Sequence, residues 1–172
     1  MSRLVGEDGV APYWAYGWAG GSALARYVLD NPDVVKGQCV LDLGCGSGVA
    51  GIAAAMSGAA RVMAHDIDPY ALAAVAVNAQ ANDVSVEVCD DVPSSDDIDM
   101  LLAGDVYYDA AVAALMTPYL QGCVAAGVTV LVGDPGRRWL PVELLQSLAD
   151  YTVADFGQAA EDVRPSAVYR FR

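Results

Sequence analysis

The sequence predicts a doubly wound α/β fold of the Rossmann-like kind, and three observations carry that prediction. Short apolar runs rich in β-branched residues recur along the chain, helical stretches separate most of them, and a glycine-rich turn, "DLGCGSGVAG" from Asp42 to Gly51, follows the first run. Apolar strands alternating with helices describe a mostly parallel sheet of seven strands covered by helices on both faces. A length of 172 residues suits one domain, 1–172, with a core that needs neither disulfide nor metal. About 1–36 reads as an N-terminal cap segment and helix.

Each element has its own signal. Gly17 to Leu29 reads as a helix, because Ala23, Leu24, Tyr27 and Val28 share a face and Asn31-Pro32 ends it. Gln38 to Leu43 is a short apolar strand, and Val49 to Met56 is a small-residue helix opened by the glycines. Arg61 to Ala64 is the second strand. Asp68-Pro69 places an N-cap before a proline at the first helical position, launching a helix to about Asn82. Val84 to Cys89 alternates with period two and reads as the third strand. After the acidic loop "DDVPSSDD" come a fourth strand, Ile98 to Ala103, and a helix capped by Asp109 that Pro118 should kink or break. Val128 to Val132 is the fifth strand. A helix is expected at about Val142 to Ala149, then an antiparallel edge pair near Tyr151 to Phe156 and Ala167 to Phe171.

A hydrophobic content of 55% with 18% charged residues describes a globular chain. The net charge of −13 argues against nucleic acid, whose phosphates need a basic footprint. It suits a basic protein or a small cationic substrate, and solubility explains it equally well. The four cysteines form no C-x-x-C pair and read as free thiols in a reducing, cytoplasmic setting. "MSRLVGEDGV" has no apolar h-region, and no apolar run is long enough to span a bilayer, so no leader and no membrane partner are expected. A monomer is the expected state.

In this fold class ligands bind at the carboxyl ends of the strands. Gly44, Gly46 and Gly48 there permit close backbone approach. Their G-x-G-x-G spacing differs from the G-x-G-x-x-G of dinucleotide sites, and Asp42 before them would repel a pyrophosphate but suits an ammonium group. The second strand ends in Asp66 and Ile67, with Asp66 placed to hold ribose hydroxyls; Asp68 is the helix cap. Asp90 after the third strand can accept from an adenine amine. A glycine loop plus three strand-end acids describes S-adenosylmethionine, which carries no phosphate. His65, the single histidine, has no triad partner in sequence, and neither a metal-ligand set nor a Ser-His-Asp set is present.

"VLDLGCGSGVAGIAAA", "AHDIDPYA" and "VCDD" resemble motifs I to III of the seven-β-strand S-adenosylmethionine-dependent methyltransferases across nearly the whole chain. "PYWAYGWAGGSALARYVLDNP", "GDVYYD" and "LVGDPGRRWLP" are similar to segments of the protein-lysine methyltransferases that modify the electron transfer flavoprotein β-subunit, a group with bacterial nicotinamide-N-methyltransferase-like relatives. The resemblance implies that Trp18, or else Trp14, lines the cofactor site. Asp105 of the D-x-x-Y motif then accepts an amine hydrogen bond, Tyr108 lines a lysine channel with Tyr107 beside it, and Arg137 contacts substrate. No N/D-P-P-Y/F follows the fourth strand, which disfavours base and glutamine acceptors. The short stretch ahead of Tyr13 and the lack of a long insertion imply an open site and a protein acceptor. A small amine or pyridine acceptor is the second reading, and a non-catalytic cofactor-binding module the third.

Overall fold

The computed structural model describes residues 12–154 and 163–172. In chain order the elements are α1 (Ala19–Asp30), β1 (Cys39–Leu43), α2 (Val49–Met56), β2 (Arg61–His65), α3 (Pro69–Ala81), β3 (Glu87–Val88), β4 (Met100–Gly104), α4 (Ala110–Ala125), β5 (Thr129–Asp134), β6 (Leu145–Ala154) and β7 (Val163–Phe171). The strands form one sheet ordered β3-β2-β1-β4-β5-β7-β6, parallel from β3 to β5, with β7 antiparallel to both β5 and β6. The order reverses at β1, between β2 and β4, and that switch point places the glycine turn where ligands bind in such sheets.

Side chains alternate across the sheet and build a core on each face. Val40, Met100, Leu102 and Leu131 join Ala23, Leu24 and Val28 of α1 and Ala50 and Ala54 of α2. Leu41, Leu43, Leu101, Val130 and Val132 pack instead with Ala113, Leu120 and Cys123 of α4. Leu24 and Leu120 are each fully buried, a contribution of roughly 1.5–3 kcal/mol apiece.

How α1 meets the sheet depends on glycine. A Cβ on Gly20 would lie 2.2 Å from the Gly133 carbonyl oxygen, and one on Gly133 would lie 2.1 Å from the Gly20 oxygen. A Cβ on Gly104 would meet the Gly21 backbone at 2.8 Å. Backbone rests on backbone here, so the first turn of α1 reaches the carboxyl ends of β4 and β5. The sequence reading does not anticipate this use of "GG" and of the strand-ending glycines.

Most expected elements form, and four differ. β3 is only two residues, Glu87–Val88, because β2 is its single neighbour and its side chains face solvent. α4 continues through Pro118 unbroken; Ala114, the acceptor that loses its amide donor there, lies on the exposed side and can be hydrated. The helix expected at Val142 to Ala149 is absent. A short 3-10 turn, Val142–Leu144, leads directly into β6, whose ladder with β7 runs from Leu145 to Ala154 with a bulge between Ser147 and Ala149. The helix-forming residues there are overruled by long-range pairing, which local propensity cannot report. The first strand of the expected edge pair, near Tyr151 to Phe156, is the second half of β6 as far as Ala154; its last two residues lie outside the described ones. Asp68 and Asp109 cap α3 and α4 as expected, accepting from the amides of Tyr70 and of Ala111 and Val112.

Candidate active site

The glycine turn leaves β1 with Gly44 at φ 65° and Gly46 at φ 52°, left-handed values that favour glycine. The Gly44 and Cys45 amides both donate to the His65 carbonyl at 2.9 and 3.2 Å, fastening the turn to the end of β2. The Gly46 amide donates to Asp66 Oδ2 at 2.9 Å, and Asp66 Oδ1 accepts from the Asp68 amide at 3.0 Å. Asp66 is thus held at the strand end with its carboxylate beside the turn. Gly48, at φ 87°, serves a different purpose: a Cβ there would press on Val75 at 3.0 Å, so this glycine lets α2 and α3 meet. The Trp14 carbonyl covers Gly46, where a Cβ would lie 3.2 Å from it.

An open cleft results, lined by Tyr16, Trp18, Gly21, Asp42, Gly44 to Ser47, Val49, Ala50, Gly104 and Asp105. Trp18, and not Trp14, is among the lining residues, and its indole Nε1 donates to the Tyr13 carbonyl at 2.9 Å. Asp42 is 2% exposed, and its Oδ2 accepts from the Gly51 amide in the first turn of α2 at 2.7 Å. Burial raises its carboxyl to about 7, with Asp66 adding to the rise and the Gly51 amide opposing it. No lysine or arginine lines the cleft among the described residues.

Asp105 sits at the far wall with φ 58°, an uncommon conformation for a non-glycine residue. Its Oδ2 accepts from the Gly21 amide at 2.9 Å, and its Oδ1 accepts from Arg137 Nη2 at 2.6 Å. The side chain expected to contact substrate therefore turns inward onto the expected catalytic carboxylate. Arg137 also lies over the Trp18 ring, 5.9 Å from its centroid. Asp134, completely buried at the end of β5, accepts from the amides of Gly136 and Arg137 through Oδ1.

Of the expected site residues, Gly48, Asp66, Ile67, Asp90, Tyr107, Tyr108 and Arg137 lie outside the cleft lining. Tyr107 is fully buried in the core of the α4 face, so it does not flank a substrate channel. The turn at Asp105 sends the Tyr107 ring beneath the sheet, while Tyr108 is 61% exposed. Asp90 is exposed beyond β3, outside the cleft lining. Ile67 is 91% exposed beside Asp66, an apolar platform at the strand end. His65 is structural: its Nδ1 bonds the Cys89 carbonyl at 3.0 Å, joining β2 to the chain after β3. Sequence reasoning missed Tyr16, Gly21, Gly104 and Asp134; only "VGDPG" pointed toward the last.

The sheet order and the glycine cradle, with Asp42 and Asp105 on one cleft and Asp66 beside it, define the class of S-adenosylmethionine-dependent methyltransferases with the Rossmann-like fold. The cradle fits that cofactor on its own terms: positive-φ glycines leave backbone open, Asp42 suits an ammonium, Asp66 suits hydroxyls, and nothing awaits a phosphate. The family model described as ribosomal protein L11 methyltransferase (PrmA) matches residues 22–128, and the chain belongs to that methyltransferase family. Among curated proteins, one from Rattus norvegicus named electron transfer flavoprotein beta subunit lysine methyltransferase is 41% identical over 170 residues, covering 93% of this chain and 67% of that protein. Its namesake in Danio rerio is 49% identical over 131 residues, covering 73% of this chain and 51% of that protein. The chain spans about half to two thirds of the length of these relatives. A solved ribosomal protein L11 methylase from Lactobacillus delbrueckii shares the fold at a TM-score of 0.63 and 22% identity, covering 95% of this chain and 83% of that one.

Proposed function

We propose that this chain is a cytoplasmic protein-lysine N-methyltransferase that uses S-adenosylmethionine and acts on the electron transfer flavoprotein β-subunit. The observation that carries this reading is Asp105, a buried carboxylate at the end of β4, on the same cleft as the glycine cradle. The names of the relatives, and the excess negative charge, supply the acceptor. Among the described residues, no helix is long and apolar enough to cross a membrane, and all four cysteines are free, as suits a reducing compartment.

When bound, S-adenosylmethionine supplies an electrophilic methyl group, and the S–C electron pair stays on sulfur as the acceptor nitrogen forms the new N–C bond. The protein's work is mainly alignment. Trp18, Asp42 and the Gly44–Gly46 backbone line the cleft, and Asp66, bonded to the Gly46 amide, and exposed Ile67 stand beside it at the strand end. Asp105 accepts an N–H hydrogen bond and so aims the amine lone pair. Its negative charge favours the ammonium form, whereas burial at the cleft floor disfavours it; the proton leaves to water across the open rim. Exposed Tyr108, and Trp139 with Arg138 stacked 4.8 Å over it, follow the ends of β4 and β5 and offer a polypeptide flat contact surfaces.

Incubation with methyl-labelled S-adenosylmethionine and purified electron transfer flavoprotein tests the reading. Label on β-subunit lysines, located by peptide mass spectrometry, is the expected result. Label on a small metabolite of the host lysate, with none on any polypeptide, would reverse it in favour of an amine or pyridine acceptor.

A further inference from the structure

Two carboxylates and one guanidinium meet at the far wall of the cleft: Asp105, which lines it, and Asp134 and Arg137 beside it. Arg137 is bonded to Asp105, at 2.6 Å. Toward Asp134 it stops short, with Nε 3.8 Å from Oδ2. Both of those atoms are buried and have no hydrogen-bond partner among the described residues. A buried, unsatisfied charged atom is costly, and Asp134 is completely buried. A movement of about 1 Å would bring the Nε–Oδ2 pair into hydrogen-bond range. The guanidinium therefore has two acidic berths and fully occupies one. The trio also carries one negative charge too many, since two carboxylates face one cation.

The occupied berth has the chemistry of an acceptor-ammonium site. A cation there is bonded to a strand-end carboxylate and faces an indole ring. We propose that Arg137 is a displaceable stand-in for the substrate's lysine: it neutralises Asp105 in the free protein and shifts onto Asp134 when the substrate amine takes its place. This inference rests on the lysine reading above. Asp134 is then a positioning residue that receives the displaced guanidinium, satisfies its own Oδ2 in doing so, and brings the site to one compensated charge set with substrate present. Any acceptor that carries no cationic group cannot take the place of Arg137, so the exchange also selects amines over neutral nitrogen nucleophiles.

The test is a cycle of two substitutions. Asp134→Asn keeps an oxygen for the Gly136 and Arg137 amides but faces Arg137 Nε with an amide donor or a neutral acceptor, which removes the second berth. It should raise KM for the acceptor protein about tenfold with kcat within about threefold. Affinity for S-adenosylhomocysteine, read by calorimetry, should stay within about twofold. The double variant Asp134→Asn/Arg137→Gln should recover KM to within about threefold of the wild type, because the competing cation is gone. A role for Asp134 in the turn alone predicts a double variant at least as impaired as the single one, and that result overturns the proposal. So does an unchanged KM in Asp134→Asn.

A second measurement needs no turnover. In protein with 15N-labelled arginine, saturated with S-adenosylhomocysteine, the Arg137 Nε resonance should move on titration with Nα-acetyl-lysine methylamide and stay still in Asp105→Asn. A resonance that ignores the probe in wild-type protein overturns the exchange. Failure of the lysine reading shows differently, as no methylated lysine in any polypeptide made by the wild-type protein.

Discussion

Asp105 and Asp42 are both buried carboxylates on one cleft, and their surroundings give them different tasks. Asp105 has φ 58° and bonds to Gly21 and Arg137, so its removal is best tested with asparagine. Asparagine tolerates that backbone and can still accept from the Gly21 amide, whereas alanine would add strain of about 1–2 kcal/mol. Asp105→Asn should lower kcat about a hundredfold or more while S-adenosylhomocysteine still binds; loss of binding would show that Asp105 supports the cradle instead. Asp42 has a carboxyl raised to about 7 by burial. In the unfolded chain it titrates near 4. Between those values the folded state keeps a proton that the unfolded state has lost, so this group's contribution to stability is fully present below about pH 4 and is lost as pH rises through 7. A cationic ligand group beside Asp42 favours the ionised form, so binding near neutral pH should release protons. Calorimetry of S-adenosylhomocysteine binding in buffers of different ionisation heat should register a release of up to one proton at pH 6.5. Asp42→Asn should abolish that release, and a release that persists would place its source elsewhere.

At the scale of elements, the seating of α1 governs the site. Its Gly20 lies against Gly133 with no room for a side-chain carbon on either, and a Cβ on Gly104 would strike the Gly21 backbone. That contact puts the Gly21 amide on Asp105 and the start of the helix beside Trp18. Gly133→Ala should force α1 away from the sheet, costing about 3 kcal/mol or more. For a chain of this size the loss corresponds to roughly 6–12 °C in melting temperature, readable by calorimetry or circular dichroism. Gly122 in α4 is the control, since nothing lies within 4 Å of a Cβ there. Gly122→Ala should stabilise the protein by about 0.5–1 kcal/mol through helix propensity and unfolded-chain entropy. Equal effects at the two positions would refute the backbone-contact account of how α1 is held.

The molecule as a whole carries a charge of −13, and a field of that size acts on association more than on chemistry. Methylation of a protein acceptor through a basic patch should lose about tenfold or more in kcat/KM as ionic strength rises from about 0.02 to about 0.5 M, because the Debye length falls several-fold. S-adenosylhomocysteine affinity should change far less over the same range. Stopped-flow and calorimetric measurements separate the two, and equal salt sensitivity would exclude long-range steering. Much of this organisation was legible in the chain, because it is written in local patterns. Apolar runs marked the strands, Asp68 and Asp109 announced their helices through side-chain capping, and the glycines after Leu43 announced the cradle. The illegible parts depend on residues far apart in sequence. Helix-forming residues around Leu145 became β6 because β7 was there to pair with, and the first turn of α1 rests on glycines more than 80 positions away. The inward turn of Arg137, the burial of Tyr107 and the unsatisfied Oδ2 of Asp134 belong to the same class. By itself, then, the sequence determined the fold class and the cofactor. Only the tertiary structure decided which carboxylates are paired, because pairing depends on distances between segments that no local pattern encodes.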